Sequence, residues 1–173
     1  MKKNKISLFV LGILFMLTSC ETLKEPTVEY GPVYPLSGEW IVRFIKPNPT
    51  VKADTSSFTT ITTFNASDNS TNALWIRKTG TSATTISSFT VKSTCDVATK
   101  TFSGANLPST VLSGGVSVGT CTITQGSVVI DGWNTNSGYK SDKITFKIVD
   151  SRNPGVVYSA EGYRRTGWYE DEP

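Results

Sequence analysis

The sequence predicts an all-β domain, a single antiparallel up-and-down barrel of about eight strands, and three observations support this prediction. From residue 37 onwards, β-branched and aromatic residues recur in short bursts, which Gly, Asn, Asp and Pro separate. Ile144, Phe146 and Ile148 alternate with polar residues, as in a strand with one dry and one wet face. Helical periodicity is missing after Cys20.

Nine segments of this domain have the composition of strands. They cover residues 38–46, 57–66, 73–78, 85–93, 100–103, 119–124, 127–133, 143–150 and 156–164. Turn-forming residues separate the last two, and the chain then returns with apolar and polar residues in alternation. Because a closed sheet has no exposed edges at which to aggregate, a barrel is favoured over a sandwich.

The N-terminus has the anatomy of a secretory signal peptide, which we place at residues 1–19. Lys2, Lys3 and Lys5 form a positive segment, and an apolar run of about a dozen residues follows it. A spanning helix needs roughly 20 apolar residues, so a permanent transmembrane helix is the weaker interpretation. The run ends in Leu-Thr-Ser before Cys20, which resembles the lipobox of bacterial lipoproteins. The resemblance implies that Cys20 is lipidated and anchors the chain to the bacterial outer membrane, facing the periplasm or the cell surface.

A polar tether is predicted between this anchor and the folded domain. Residues 20–36 include Pro26, Pro32 and Pro35 and have neither helical nor strand periodicity. Residues 37–173 then suffice for one domain with a hydrophobic core.

The charge distribution argues against nucleic acid as a partner. The full sequence has 17 Lys+Arg and 14 Asp+Glu, and removal of the three lysines of the signal peptide leaves 14 of each. The basic residues are scattered, so the electrostatic pattern of nucleic-acid binding is missing. The expected partner is the membrane, contacted through the lipid anchor.

Two cysteines, Cys95 and Cys121, follow the anchor in the sequence. In an oxidising compartment they can form a disulfide, and we predict that bond. The alternative is a pair of buried free thiols. Two thiols make a poor zinc site, and the sequence has no histidine to complete one, so neither a metal nor a cofactor is expected.

One motif invites interpretation as part of an enzyme. Residues 115–119 match Gly-x-Ser-x-Gly, the nucleophile elbow of α/β-hydrolases, with Ser117 as the nucleophile. The elbow requires a strand–turn–helix setting and a general base that accepts the serine proton. Because the motif lies among β-rich segments and the sequence has no histidine, we assign no catalytic residue and predict binding rather than catalysis.

The first and last predicted strands resemble the ends of the lipocalin and wider calycin barrels. Gly38 and Trp40 form a Gly-x-Trp in the first strand, and Arg164 lies in the last. The resemblance implies that the tryptophan closes one end of the barrel and that an arginine lies across its indole ring. Strand parity selects Arg164 over Arg165, because Arg164 shares a face with Tyr158.

A closer resemblance covers nearly the whole chain after Cys20. Its segments are SGEW at 37–40, ITTFN at 61–65, LWI at 74–76, DKI at 142–144, PGVVY at 154–158 and GYRRTG at 162–167. In this order they resemble the Bacteroidetes lipoprotein family labelled "lipid-binding putative hydrolase". The resemblance implies a lipocalin-like barrel with an apolar ligand, and it supplies no catalytic residues.

Aromatic residues of the predicted strands can either line a ligand cavity or fill a core. We predict that five of them line the binding site of a small apolar or lipid-like ligand: Trp40, Phe44, Phe64, Phe146 and Tyr158. The alternative is a surface module with a solid core that contacts a glycan or a partner protein, with Trp133 and Tyr139 as its best candidates. The interior volume of the barrel distinguishes the two.

Overall fold

Eight strands close into an antiparallel barrel in the computed structural model, which describes residues 28–46, 58–80, 86–113 and 116–173. The barrel strands are β1 (Gly38–Ile45), β2 (Thr59–Asn65), β3 (Ala73–Lys78), β4 (Phe89–Asp96), β5 (Thr101–Pro108), β8 (Thr120–Asn134), β9 (Lys140–Asp150) and β10 (Val157–Arg164). A separate two-stranded sheet pairs β6 (Leu112–Ser113) with β7 (Val116–Ser117). The prediction of an all-β up-and-down barrel is confirmed. The predicted signal peptide and Cys20 lie outside the described residues.

Each barrel strand pairs with the barrel strands that precede and follow it in the chain, and β1 closes the barrel against β10. The barrel therefore has two ends. We call the end at which Gly38 begins β1 and Arg164 ends β10 the closed end. We call the opposite end, where β3 ends at Lys78 and β4 begins at Phe89, the mouth. Among the described residues, no helix is long and apolar enough to cross a membrane.

The longest strand, β8, joins two segments that the sequence analysis separated at Gln125. Gln125 adopts a positive φ of 54°, and the pairing of β8 with β9 shifts between Thr124 and Ser127. These features identify a β-bulge, which bends a strand without ending it. A second shift follows between Val129 and Trp133. Residues that read as a turn in the sequence therefore form bends in one continuous strand.

The folded domain begins before residue 37. A 3₁₀ turn spans Tyr34–Leu36, and the side chains of Val33 and Leu36 are fully buried in the core. The prediction that the tether extends to residue 36 is therefore wrong for this last part. Val33 and Leu36 are apolar residues among prolines, and burying them removes apolar surface from water.

The C-terminal segment folds back onto the outside of the barrel. Its carboxylate latch is Asp171, which is 2% exposed and accepts hydrogen bonds from the Ser137 amide at 2.7 Å and from Thr166 Oγ1 at 2.7 Å. The Tyr163 hydroxyl donates to the backbone carbonyl of Asp171. These contacts cover Tyr163, an outward-facing residue that is nonetheless 7% exposed.

Asp171→Asn should lower the urea midpoint of unfolding at neutral pH. Burial raises the pKa of the Asp171 carboxyl, but hydrogen bonds from Thr166 and Ser137 outweigh it and hold that pKa below its usual value. A carboxyl whose pKa is lower in the folded state stabilises the fold above its unfolded pKa of about 3.9. That contribution is lost as the pH falls through the folded-state pKa, so wild type and variant should converge in acid. Glu170→Gln, which changes an exposed neighbour, is the control. The role of Asp171 as a latch would be contradicted if both substitutions lowered the midpoint equally, or if the effect of Asp171→Asn did not depend on pH.

Candidate functional site: the barrel interior and its mouth

Trp40 and Arg164 seal the closed end of the barrel. Trp40 is fully buried, and Arg164 Cζ lies 4.4 Å from the centroid of its ring. The two residues are paired across β1 and β10, which is the arrangement that strand parity predicted. Gly38 is required beside them, because a Cβ there would lie 2.3 Å from Arg164 Nη1.

Hydrogen bonds hold both members of this pair in place. Trp40 Nε1 donates to Thr63 Oγ1 at 2.8 Å, and that hydroxyl donates to the Leu36 carbonyl at 2.5 Å. Arg164 Nε donates to Asp142 at 2.9 Å, and its other nitrogens donate to the Ser37 and Pro35 carbonyls. The guanidinium thus ties the segment that precedes β1 to β9 and β10. The closed end is a structural plug whose polar groups are satisfied internally.

Four phenylalanine rings cross the barrel interior. Phe44 contacts Phe89 and Phe146 edge-on, with centroids 6.5 Å and 6.0 Å apart, and Phe146 contacts Phe102 at 5.7 Å. None of the four is more than 3% exposed. Because they belong to β4, β1, β9 and β5, the rings reach from one wall of the barrel to the other. Such aromatic contacts stabilise a core by about 0.5–1.5 kcal/mol each beyond the area buried.

Four of the five residues predicted to line the interior do face it: Trp40, Phe44, Phe146 and Tyr158. The prediction that Phe64 lines the interior is wrong. Ile61 and Thr63 are the buried residues of β2, so Phe64 points outwards. It stacks on Trp75 of β3 with centroids 6.4 Å apart, and Arg77 lies over its ring.

Arg152 forms an ion pair with Asp150 and reaches across the mouth of the barrel. The Asp150 side chain is fully buried, and its two carboxylate oxygens share the Arg152 Nε–H donor at 2.9 Å each. Arg152 Nη2 also donates to the Ser88 carbonyl at 3.0 Å. Arg152 lies between β9 and β10, whereas Ser88 directly precedes β4, which is four places from β10 in the barrel order. The arginine therefore links opposite walls, and the buried side chain of Ile86 lies beside this link in the chain.

Lys78 is a buried cation at the same end of the barrel. It is 2% exposed and follows the buried Leu74 and Ile76 on the inner face of β3. Its Nζ donates to the Gly80 carbonyl at 3.2 Å. Burial lowers the pKa of this amine. The sequence analysis did not select Lys78, although alternation along β3 was the signal that places it inside.

A family model described as "Lipid-binding putative hydrolase" matches residues 25–169. The chain belongs to this family. No curated protein matches it. The family description fits an apolar barrel interior that is sealed at one end.

The disulfide predicted for this family member is absent, because both cysteines in the described part of the chain are free thiols. Cys95 pairs with Phe102 near the start of β5, whereas Cys121 pairs with Leu107 near its end. Five residues of a strand separate the two partners by about 15 Å. A disulfide requires Cα atoms within about 7 Å, so the barrel register forbids the bond.

The two thiols should differ in reactivity. Cys121 is 1% exposed, and burial, followed by the nearby Asp150 carboxylate, raises its pKa to about 12. In a Cys20→Ser chain without reductant, a thiol reagent near pH 8 should spare Cys121 until the protein unfolds, because only the thiolate reacts. After complete unfolding, two thiols per chain should have reacted in total. A total of none would restore the disulfide.

Ser117, the serine of the Gly-x-Ser-x-Gly motif, lies in the two-residue strand β7. Its hydroxyl donates to the Ser109 carbonyl at 2.6 Å. A serine in a nucleophile elbow instead follows a strand, precedes a helix and donates to a general base. The local setting of Ser117 is that of a polar surface contact. Gly115 lies outside the described residues.

The two candidates for a surface platform do not stack on each other. Trp133 stacks on Tyr163 with centroids 5.3 Å apart, and Lys143 lies over its ring. Tyr139 stacks instead on Trp168, at 6.2 Å, and both of these rings are more than half exposed. Trp133 and Tyr163, together with Phe58, line a pocket of about 120 Å³ on the outer surface.

Proposed function

We propose that this member of the lipid-binding family is an outer-membrane lipoprotein that binds a small apolar or lipid-like ligand in its barrel. The observation that carries the proposal is the apolar interior behind the Trp40–Arg164 plug. An interior lined mainly by apolar side chains gives a hydrocarbon chain an apolar environment. Binding rather than turnover is proposed because Ser117 donates to a backbone carbonyl and the sequence has no histidine.

The mouth is the proposed entrance. At the closed end, Arg164 and Trp40 are fixed by hydrogen bonds to several elements. At the mouth, the link between walls includes one hydrogen bond from Arg152 to Ser88. Because the phenylalanine rings occupy the interior in the structure, a ligand must displace rings such as Phe44 and Phe89 when it enters. That rearrangement offsets part of the gain from burying the ligand, about 25 cal/mol per Å², so we expect an affinity in the low-micromolar range or weaker.

The test is a titration of the purified protein with dodecanol and with fatty acids, monitored by intrinsic tryptophan fluorescence. Ala160→Leu adds bulk to the interior opposite Phe44, and Ser159→Leu adds the same bulk to the outer face of the same strand. Binding should weaken about tenfold or more in Ala160→Leu only. Native mass spectrometry of protein from its own host should show bound amphiphile. No binding in either measurement would refute the proposal.

The filled interior favours a second candidate function, a surface module that binds a glycan or a partner protein. The pocket formed by Phe58, Trp133 and Tyr163 is its proposed site, since aromatic faces suit both kinds of partner. Glycan-array binding that is lost in Trp133→Ala, together with no uptake of amphiphiles, would favour this function over lipid binding.

A further inference from the structure

Lys78 is the unusual residue of the mouth because a lysine is almost never buried without an ionic partner. Its neighbours across the sheet are Ile61 on β2 and Phe89 on β4, and both side chains are buried and apolar. An ammonium group has three donors, and Lys78 Nζ has one acceptor, the Gly80 carbonyl, among the described residues. No carboxylate of those residues lies within 4.0 Å of Nζ.

Arg152, a basic residue at the same end of the barrel, differs in this respect. Arg152 has a dedicated carboxylate, Asp150, with which it makes several hydrogen bonds. Its charge is therefore neutralised within the protein. No described carboxylate compensates the buried charge of Lys78, and a bound anion would compensate it.

The position of Lys78 fits one end of an amphiphile. Phe89, its cross-strand neighbour, is the first ring of the chain of contacts that continues through Phe44 and Phe146. A ligand whose head group lies at Lys78 would therefore place its hydrocarbon chain against these rings. The head group would remain at the mouth, the end proposed as the entrance.

We propose that Lys78 binds the acidic head group of the ligand, which makes the ligand an anionic single-chain amphiphile with a carboxylate. This inference rests on the proposed lipid binding and specifies its ligand class. Lys78 is then a specificity-determining residue: it selects acids over neutral molecules with the same chain.

An internal partner is the competing explanation for Lys78. Asp54 lies outside the described residues, in the sequence between β1 and β2, and β2 is adjacent to β3 in the barrel. If Asp54 neutralised Lys78, removal of either group would leave a buried charge unpaired, so Lys78→Met and Asp54→Asn would both lower the unfolding midpoint. If Lys78 is reserved for a ligand, Lys78→Met should raise the midpoint and Asp54→Asn should leave it unchanged.

The experiment combines this stability measurement with titrations of dodecanoate and dodecanol near pH 8. Wild-type protein should bind dodecanoate about tenfold more tightly than dodecanol. Lys78→Met should lose that preference and keep its affinity for dodecanol, and Lys78→Arg should retain a preference for the acid. Lys147→Met is the matched control, because Lys147 is an exposed lysine on the outer face of β9, and it should behave as wild type.

The outcomes separate the two proposals. Binding of dodecanol with no preference for dodecanoate, or a preference that survives in Lys78→Met, would overturn the role of Lys78 and leave lipid binding intact. No binding of either compound to wild type would overturn both. Lower midpoints for both Lys78→Met and Asp54→Asn would assign Lys78 to an internal ion pair.

Discussion

Trp40→Ala should lower the free energy of unfolding by about 3–5 kcal/mol, the usual cost of removing a large aromatic side chain from a core. Trp40 is fully buried at the closed end, where the rest of the plug leaves little freedom to collapse into the space. The substitution also removes the ring beneath Arg164 and the donor to Thr63. Because domains of this size are stable by about 5–15 kcal/mol, this loss should be a large fraction of the total stability.

Urea denaturation followed by far-UV circular dichroism measures this effect. Trp168→Ala is the matched control: Trp168 is 56% exposed, and its ring contact is with the exposed Tyr139. We expect a change within about 1 kcal/mol for that variant. If Trp40→Ala and Trp168→Ala had the same unfolding midpoint, Trp40 could not be the plug of the barrel.

The sequence was informative wherever local pattern decides structure. Alternation in the last strand placed Arg164 on the inner face, and the Gly-x-Trp motif placed Trp40 opposite it. Alternation alone could not place Phe64, because Ile61 and Phe64 are three residues apart and must face opposite sides of one strand. The structure resolves that choice through Thr63, whose inward hydroxyl accepts the Trp40 hydrogen bond.

The sequence did not predict which residues of neighbouring strands pair with each other. The disulfide prediction failed because it depended on which residues of β5 lie opposite Cys95 and Cys121, and bulges shift that register twice. The fusion of two predicted strands into β8 has the same origin, since Gln125 bends the strand where its neighbour Gly126 suggested a turn. Such shifts depend on contacts between strands that are distant in sequence.

The charge pattern of the interior connects the fold with the proposed ligand. Arg164 at one end and Arg152 at the other are each neutralised by a protein carboxylate, Asp142 and Asp150. Lys78 lacks such a carboxylate among the described residues. A protein selected for stability alone would replace that lysine with an apolar residue, because buried unpaired charge is destabilising. A buried group that destabilises the fold is typical of a functional site.

Cys20→Ser should abolish the lipid anchor, and this is the largest effect that we expect. Acyl chains contribute about 0.8 kcal/mol per buried methylene, and one chain gives only marginal binding, whereas several together anchor a protein stably. The barrel supplies no comparable attachment in the proposed arrangement, since most of the large apolar side chains of its strands are buried in the core. Membrane fractions of cells that express wild type should therefore contain nearly all of the protein. The Cys20→Ser chain should remain an uncleaved precursor without acyl chains, which intact-mass spectrometry detects.

Cys95→Ser is the control, because it removes a thiol of the barrel and should leave lipidation unchanged. Mature Cys20→Ser protein that carried acyl chains, or wild-type protein without them, would refute the assignment of Cys20 as the anchor.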